Sequence, residues 1–244
     1  MKIIVNGACG RMGRELTRLI EADPRLELAA RVDAKGDGAE VLTDLANAPA
    51  ADAIIDFSHH SAAADVLAYA KKIGAAAVIG TTGHTAEEKK QIEDAAREIP
   101  VFYSGNMSLG IALLCSMTRQ AVAMFPEADV EIVEIHHNRK VDAPSGTAKM
   151  LFGAVKSVRP NAYEHDGRSG ECKRTADEVG ISSLRMGNVV GVHEVHIATP
   201  SQTITLRHEV TTRRMLAEGG VEAARYMVGK PAGLYNMNQL LEDR

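Results

Sequence analysis

Over the first hundred residues, short apolar runs alternate with longer stretches whose apolar positions recur every three or four residues. KIIVNG (2–7), LELAARVD (26–33), ADAIIDFS (51–58), AAAVIGTTG (75–83) and VFYSGN (101–106) are the expected strands. Between them, RMGRELTRLIEA (11–22) predicts a helix with Met12, Leu16, Leu19 and Ile20 on one side. SAAADVLAYAKKIG (61–74) predicts a helix stopped by Gly74. TAEEKKQIEDAAREI (85–99) predicts another, with Thr85 and Glu88 spaced as a capping box and Pro100 beyond its end. Near-continuous apolar strands alternating with helices imply a parallel sheet covered on both faces. The strands end in NGACG, RVD, DFSHH, GTTG and YSGN, small and polar groups on the side where such sheets bind ligands.

The pattern then changes. SLGIALLCSMTRQAVAMF (108–125) predicts a long helix, DVEIVEIHH (129–137) a strand of period two, and 145–157 one more helix. Residues 159–180 are polar, lack periodicity and read as loop. ISSLRMG (181–187), VGVHEVHIAT (190–199) and SQTITLRHEV (201–210) are expected strands of a mixed or antiparallel sheet, followed by a helix over 213–229 and a short one in MNQLLED (237–243). The fold class is therefore α/β, a Rossmann-like parallel-sheet N-terminal domain with a second α+β domain. The boundary is expected between 106 and 109.

Charge and cysteine usage narrow the classes. A net charge of −4 gives no basic field for nucleic acid, so an anionic ligand needs a local positive cluster. The three cysteines, Cys9, Cys115 and Cys172, lie far apart, which argues against a disulfide framework or a zinc site, and no metal is expected. The longest apolar run, 109–117, is far short of a membrane span, and MKIIVNG does not resemble a secretory leader; a cytoplasmic protein is expected, with no membrane partner.

Two stretches carry the candidate chemistry. In NGACGRMG the glycines Gly7, Gly10 and Gly13 follow an apolar strand and open a helix. One register places Ala8, Gly10 and Gly13 at the fingerprint positions of a dinucleotide loop, with Gly7 as an extra turn glycine. The helix start attracts phosphate, and glycine lets the backbone approach it. Asp33, twenty residues past Gly13, ends the second strand, where a carboxylate can accept from ribose hydroxyls. The competing reading is a plain strand-to-helix turn. Asp33 favours NADH, Lys35 and Arg11 offset a 2′-phosphate, and use of NADH or NADPH is expected. The second stretch, EIHHNRKVDAPSGTA (134–148), sets two histidines, Arg139 and Lys140 ahead of a helix start with Ser145 or Thr147 as its cap. Histidine and lysine are credible proton donors there, and the helix start can hold a carboxylate. The competing reading is a solvated loop and a capped helix. His59 and His60 are candidates for the rim of the cofactor cleft, while His193, His196 and His208 read as surface or interface histidines.

NGACGRMG, DFS, GTTG, SGNMSLG, HHNRKVDAPSGTA, LRMGNVVGVHEV and GLYNMNQLL occur in the order seen in the dihydrodipicolinate reductase family, also called 4-hydroxy-tetrahydrodipicolinate reductases, which the chain resembles over nearly its whole length. The resemblance implies reduction of a small cyclic dicarboxylate by NADH or NADPH with release of water, in lysine and diaminopimelate biosynthesis. By motif, His136 resembles the family's general acid/base and Lys140 its proton donor. His137, Gly146 and Thr147 match substrate-binding positions. Gly7, Ala8, Cys9, Gly10, Arg11, Met12, Asp33, Gly80, Thr81, Thr82, Ser104, Gly105, Asn106 and Met107 match cofactor-binding positions. It also implies a dinucleotide-binding domain over 1–107 rejoined by 217–244, a substrate-binding and oligomerisation domain over 108–216, and a homotetramer. The chain departs from the family where Ala34, not a basic residue, follows the ribose-binding acid, and where Met107 stands in place of an aromatic ring that some members carry; the polar loop DGRSGECKR (166–174) fits the family loosely.

Overall fold

The computed structural model describes residues 1–36, 38 and 40–244, which divide into two compact units: Met1–Ser108 with Arg214–Arg244, and Leu109–Arg213.

The first unit is built on a six-stranded parallel sheet of order β11-β5-β4-β3-β1-β2. Its strands are β1 (Lys2–Asn6), β2 (Glu27–Val32), β3 (Ala53–Asp56), β4 (Ala76–Ile79), β5 (Pro100–Tyr103) and β11 (Gly233–Tyr235). The central strands β3 and β4 are buried at every position, as expected for strands covered on both faces. Helix α1 (Arg11–Ala22) turns Leu16 and Ile20 inward. Helix α2 (Ala63–Ile73) ends on Gly74 at φ +70, a left-handed cap that glycine adopts without a Cβ clash. Helix α3 (Ala86–Ala95) starts with the expected capping box: Thr85 Oγ1 accepts from Glu88 N and the Glu88 carboxylate accepts from Thr85 N. After the second unit the chain returns as α6 (Arg214–Met227), packed on α1 and on β3, β4 and β5, then β11 beside β5, then α7 (Met237–Glu242).

The second unit is a five-stranded mixed sheet of order β10-β9-β6-β8-β7 with α4 (Leu109–Met124) and α5 (Gly146–Lys156) packed on it. Strand β6 (Asp129–His136) is central, parallel to β8 (Glu178–Arg185) and antiparallel to β9 (Gly191–Thr199), which pairs antiparallel with β10 (Gln202–Val210). The core beneath the helices gathers Ile111, Leu114, Val130, Ile132, Leu151, Val179, Ile181, Val195 and Ile197. The polar stretch 159–180, expected as loop, contributes β7 (Tyr163–Asp166), a short parallel edge strand on β8. None of its four side chains is fully buried, and short edge strands carrying polar side chains are common, so it shows no apolar alternation. No helix among the described residues is long and apolar enough to cross a membrane.

Candidate active site

In the first unit the sequence-predicted cofactor residues gather at the carboxyl ends of the strands. The turn after β1 is fastened by Gly7 N and Ala8 N, which donate to Val32 O at 2.9 and 3.0 Å. Gly7 has φ +80, and a Cβ there would press on the backbone of Phe57 and Ser58. Gly10 is the N-cap of α1 and has no side chain to cap it, so the helix begins on bare amides with their positive potential, as a pyrophosphate requires. Asp33 accepts from Cys9 N and Lys35 N, both at 3.0 Å, which holds its carboxylate beside the glycine turn. These features fit a dinucleotide.

Behind them, the fully buried Asp56 ties three strand ends together. It accepts from Asn6 Nδ2 at 2.7 Å, Ser58 Oγ at 2.5 Å and Thr81 Oγ1 at 2.6 Å. The Thr81 hydroxyl, which also accepts from Ser58 N, is committed to this knot. Gly80 lies over the Phe57 ring, and Thr82 is exposed. Ser104 Oγ donates to Asn106 O at 2.8 Å, so 104–106 is a self-bonded turn with Gly105 exposed at its middle. Met107 is buried, with its carbonyl against Gly219. His59 caps a short 3-10 turn, and His60 Nδ1 lies 2.8 Å from Glu88 Oε1; both rings serve local structure.

In the second unit the EIHHNRKVDAPSGTA run folds around the end of β6. His136 is its last strand residue, so His137 lies beyond the alternation of faces. The turn that follows is pinned to the β8–β9 connection: Met186 N donates to His136 O at 2.8 Å, Asn138 N to Gly187 O at 3.2 Å, and Arg139 Nη1 to Asn188 Oδ1 at 3.0 Å. Lys140 Nζ is held by the Asp142 carboxylate at 2.7 and 2.8 Å, and that bond lowers the Asp142 pKa. Burial, then the charges of Arg139 and Arg213, lower the pKa of His137. Ser145 is the cap of α5, accepting from Ala148 N at 3.2 Å, with Gly146 and Thr147 forming the first turn.

Glu134, Arg185 and His193 belong to this cluster and are not among the residues singled out by the sequence motifs. Glu134 is fully buried, and its carboxylate receives His136 Nδ1. Burial alone would raise its pKa; hydrogen bonds from Arg185, His136 and Ser183 outweigh that and bring it down to about 2. His193, expected at a surface or interface, is instead buried, 3.0 Å from Ser145 Oγ and edge-on to the His136 ring at 5.1 Å. Its Nδ1 has no hydrogen-bond partner among the described residues. Strand phase explains both burials. Glu134 follows Val130 and Ile132, and His193 precedes Val195 and Ile197, each at even spacing on the core face. His196 lies on the opposite face, against Thr205 and Glu194, while His208 is half-buried. Among the described residues no three His, Cys, Asp or Glu side chains converge as a metal site would need.

Burial, aided by the charge of His136, pulls the His193 pKa from 6.5 down to about 4. Between those values the unfolded chain binds a proton that the folded one refuses. This contribution therefore costs nothing above pH 6.5 and erodes stability as pH falls toward 4, by about 3 kcal/mol at most. Thermal melts should show a steeper loss across that window in the native protein than in His193→Gln. Equal slopes would refute the assignment.

The family model described as dihydrodipicolinate reductase, N-terminus, matches residues 1–107, and that described as dihydrodipicolinate reductase, C-terminus, matches 110–241. The chain belongs to the dihydrodipicolinate reductase family. Members are oxidoreductases of lysine and diaminopimelate biosynthesis that take NADH or NADPH. The 4-hydroxy-tetrahydrodipicolinate reductase of Alkaliphilus metalliredigens is 40% identical over 243 residues, covering 99% of each chain. That of Caldanaerobacter subterraneus is 39% identical, covering 99% of this chain and 98% of its own. Among solved structures, the dipicolinate-bound dihydrodipicolinate reductase from Paenisporosarcina sp. TG-14 superposes with a TM-score of 0.80 at 23% identity, covering 97% of each chain. The C. glutamicum DAP dehydrogenase in complex with DAP shares the fold more distantly, with a TM-score of 0.56 at 10% identity over 98% of this chain and 93% of its own.

Proposed function

We propose that the protein reduces 4-hydroxy-tetrahydrodipicolinate to tetrahydrodipicolinate with release of water. The carrying observation is the HHNRKVDAPSGTA run, which folds as one hydrogen-bonded cluster within a chain that matches the family from end to end. Bound NADH or NADPH supplies the hydride. The protein's own work is to receive a dianion and to deliver a proton. His137 and the first turn of α5, at Gly146 and Thr147, hold substrate carboxylates, using the positive end of the helix. Lys140 gives up the proton, and His136 serves as general acid/base beside it. One hydride and one proton enter, and one hydroxyl leaves as water.

On the cofactor side, backbone groups of Gly7 to Met12 receive the pyrophosphate and Asp33 the adenosine ribose. Gly80 to Thr82 and Ser104 to Met107 shape the rest of the path. Thr81, Ser104 and Met107 serve through their backbone, since their side chains are engaged or buried. The test mixes the protein with the cyclic dicarboxylate, generated in situ, and follows oxidation of NADH and NADPH. Absence of substrate-dependent oxidation with either cofactor sinks the reading. The family resemblance also supports a cytoplasmic homotetramer, and a solution mass by light scattering below that of a tetramer overturns the assembly.

A further inference from the structure

One ion pair in the second unit, between the fully buried Glu134 and the half-buried Arg185, links several parts of the substrate cluster. Glu134 Oε1 accepts from Ser145 N at 3.1 Å and from Arg185 Nη2 at 2.7 Å. Its Oε2 accepts from Arg185 Nη1 at 2.9 Å and from His136 Nδ1. Arg185 Nη2 donates onward to Asp142 O at 2.7 Å, and the Asp142 carboxylate holds Lys140 Nζ. The pair thus meets the histidine directly, the start of α5 through its cap residue, and the lysine through the 140–142 turn.

Stability alone is a poor reason to keep such a pair. Burying two charges costs desolvation that their attraction only partly returns, and apolar residues of similar volume commonly serve as well. Its geometry, by contrast, is specific. A bidentate guanidinium–carboxylate pair fixes orientation as well as distance. An ionised carboxylate can only accept, so the nitrogen of His136 that faces Glu134 must carry the hydrogen. The other nitrogen, Nε2, is then the one left to exchange protons. It lies near Gly191, where an added Cβ would sit 3.2 Å from it.

We propose that Glu134 and Arg185 are positioning residues for the reduction: they hold His136 in the Nδ1–H tautomer and set the start of α5 and the Lys140 turn in register with it. This rests on the roles given above to His136 and Lys140. Neither residue need touch substrate; each acts through its neighbours.

Glu134→Gln is the primary test. A glutamine offers one acceptor oxygen and one donor nitrogen in the same space, so its nitrogen faces an Arg185 donor in either orientation, together with Ser145 N in one and His136 Nδ1 in the other. The expected result is a folded protein whose kcat falls about 10–10²-fold, as for loss of a histidine's orienting partner, with a smaller change in substrate KM. Nitrogen shifts of the His136 ring should report Nδ1–H in the native protein and a tautomer mixture in the variant, a readout that a merely structural role leaves unmoved. Arg185→Lys keeps the charge but loses the two-point grip and the bond to Asp142, and should lower kcat in the same way, serving as the test if Glu134→Gln does not fold. Native tautomer and native kcat in a folded Glu134→Gln, or in Arg185→Lys, overturn the proposal. Full turnover in His136→Ala would instead strike at the catalytic reading, while the ring shifts still judge the positioning.

Discussion

Lys140→Ala should lower kcat by roughly 10²–10⁴-fold, the range expected when a positioned proton donor is lost, while NADH affinity stays at its native value. The separation follows from where the residue sits. Lys140 belongs to the second unit and its ammonium is held by Asp142, whereas the glycine turn and Asp33 belong to the first. Steady-state kinetics with a parallel titration of NADH binding decides the matter. Weakened NADH binding with intact turnover would refute the proton-donor role. Loss of Lys140 without any loss of turnover would show that another group delivers the proton.

Gly13→Ala should cost about 3 kcal/mol of stability, the upper end for forcing a methyl into a packed region, and raise the NADH dissociation constant at least about tenfold. A Cβ at Gly13 would sit 2.6 Å from Ala8 Cα and 2.8 Å from the Ala8 carbonyl carbon, and closer still to the Gly7 carbonyl oxygen. All of these are backbone atoms, which cannot swing aside as a side chain could. The helix and the turn would have to part, lifting the amides away from where a pyrophosphate is received. By contrast, a Cβ at Gly10 would meet only the Gly7 carbonyl oxygen, at 3.2 Å. Melting curves with and without NADH measure both effects. An unchanged melting temperature and an unchanged dissociation constant would show that the close approach is not needed.

Most of the first sheet was legible because its strands are nearly pure apolar runs punctuated by glycine and proline. The exception is β11: GLY is three residues long and shows no period, and only pairing with β5, more than a hundred residues earlier, makes it a strand. The β7 segment YEHD failed for a related reason, since an edge strand with polar side chains differs little from a loop until its partner is known. Within the candidate site, the histidines, the lysine and the capped helix stood out as a dense local motif. Glu134 and His193 carried a usable signal that residue type obscured: each is a polar residue in the apolar phase of a period-two strand, where burial without a partner is costly. Arg185 carried none. Its match to Glu134 depends on the register of β6 against β8, which sets Arg185 opposite His136 and Ser183 opposite Glu134, a long-range pairing that one local stretch does not encode.

The late return of the chain to the first sheet has a consequence for synthesis. Residues Leu109–Arg213 form one uninterrupted stretch and can pack their own sheet as soon as they leave the ribosome. The segment made before them cannot finish. Its α1 face awaits α6, and β5 remains an open edge until Gly233–Tyr235 emerge. The part translated first is therefore completed last, and during that interval it is the half that carries the glycine turn that stands exposed to wrong partners.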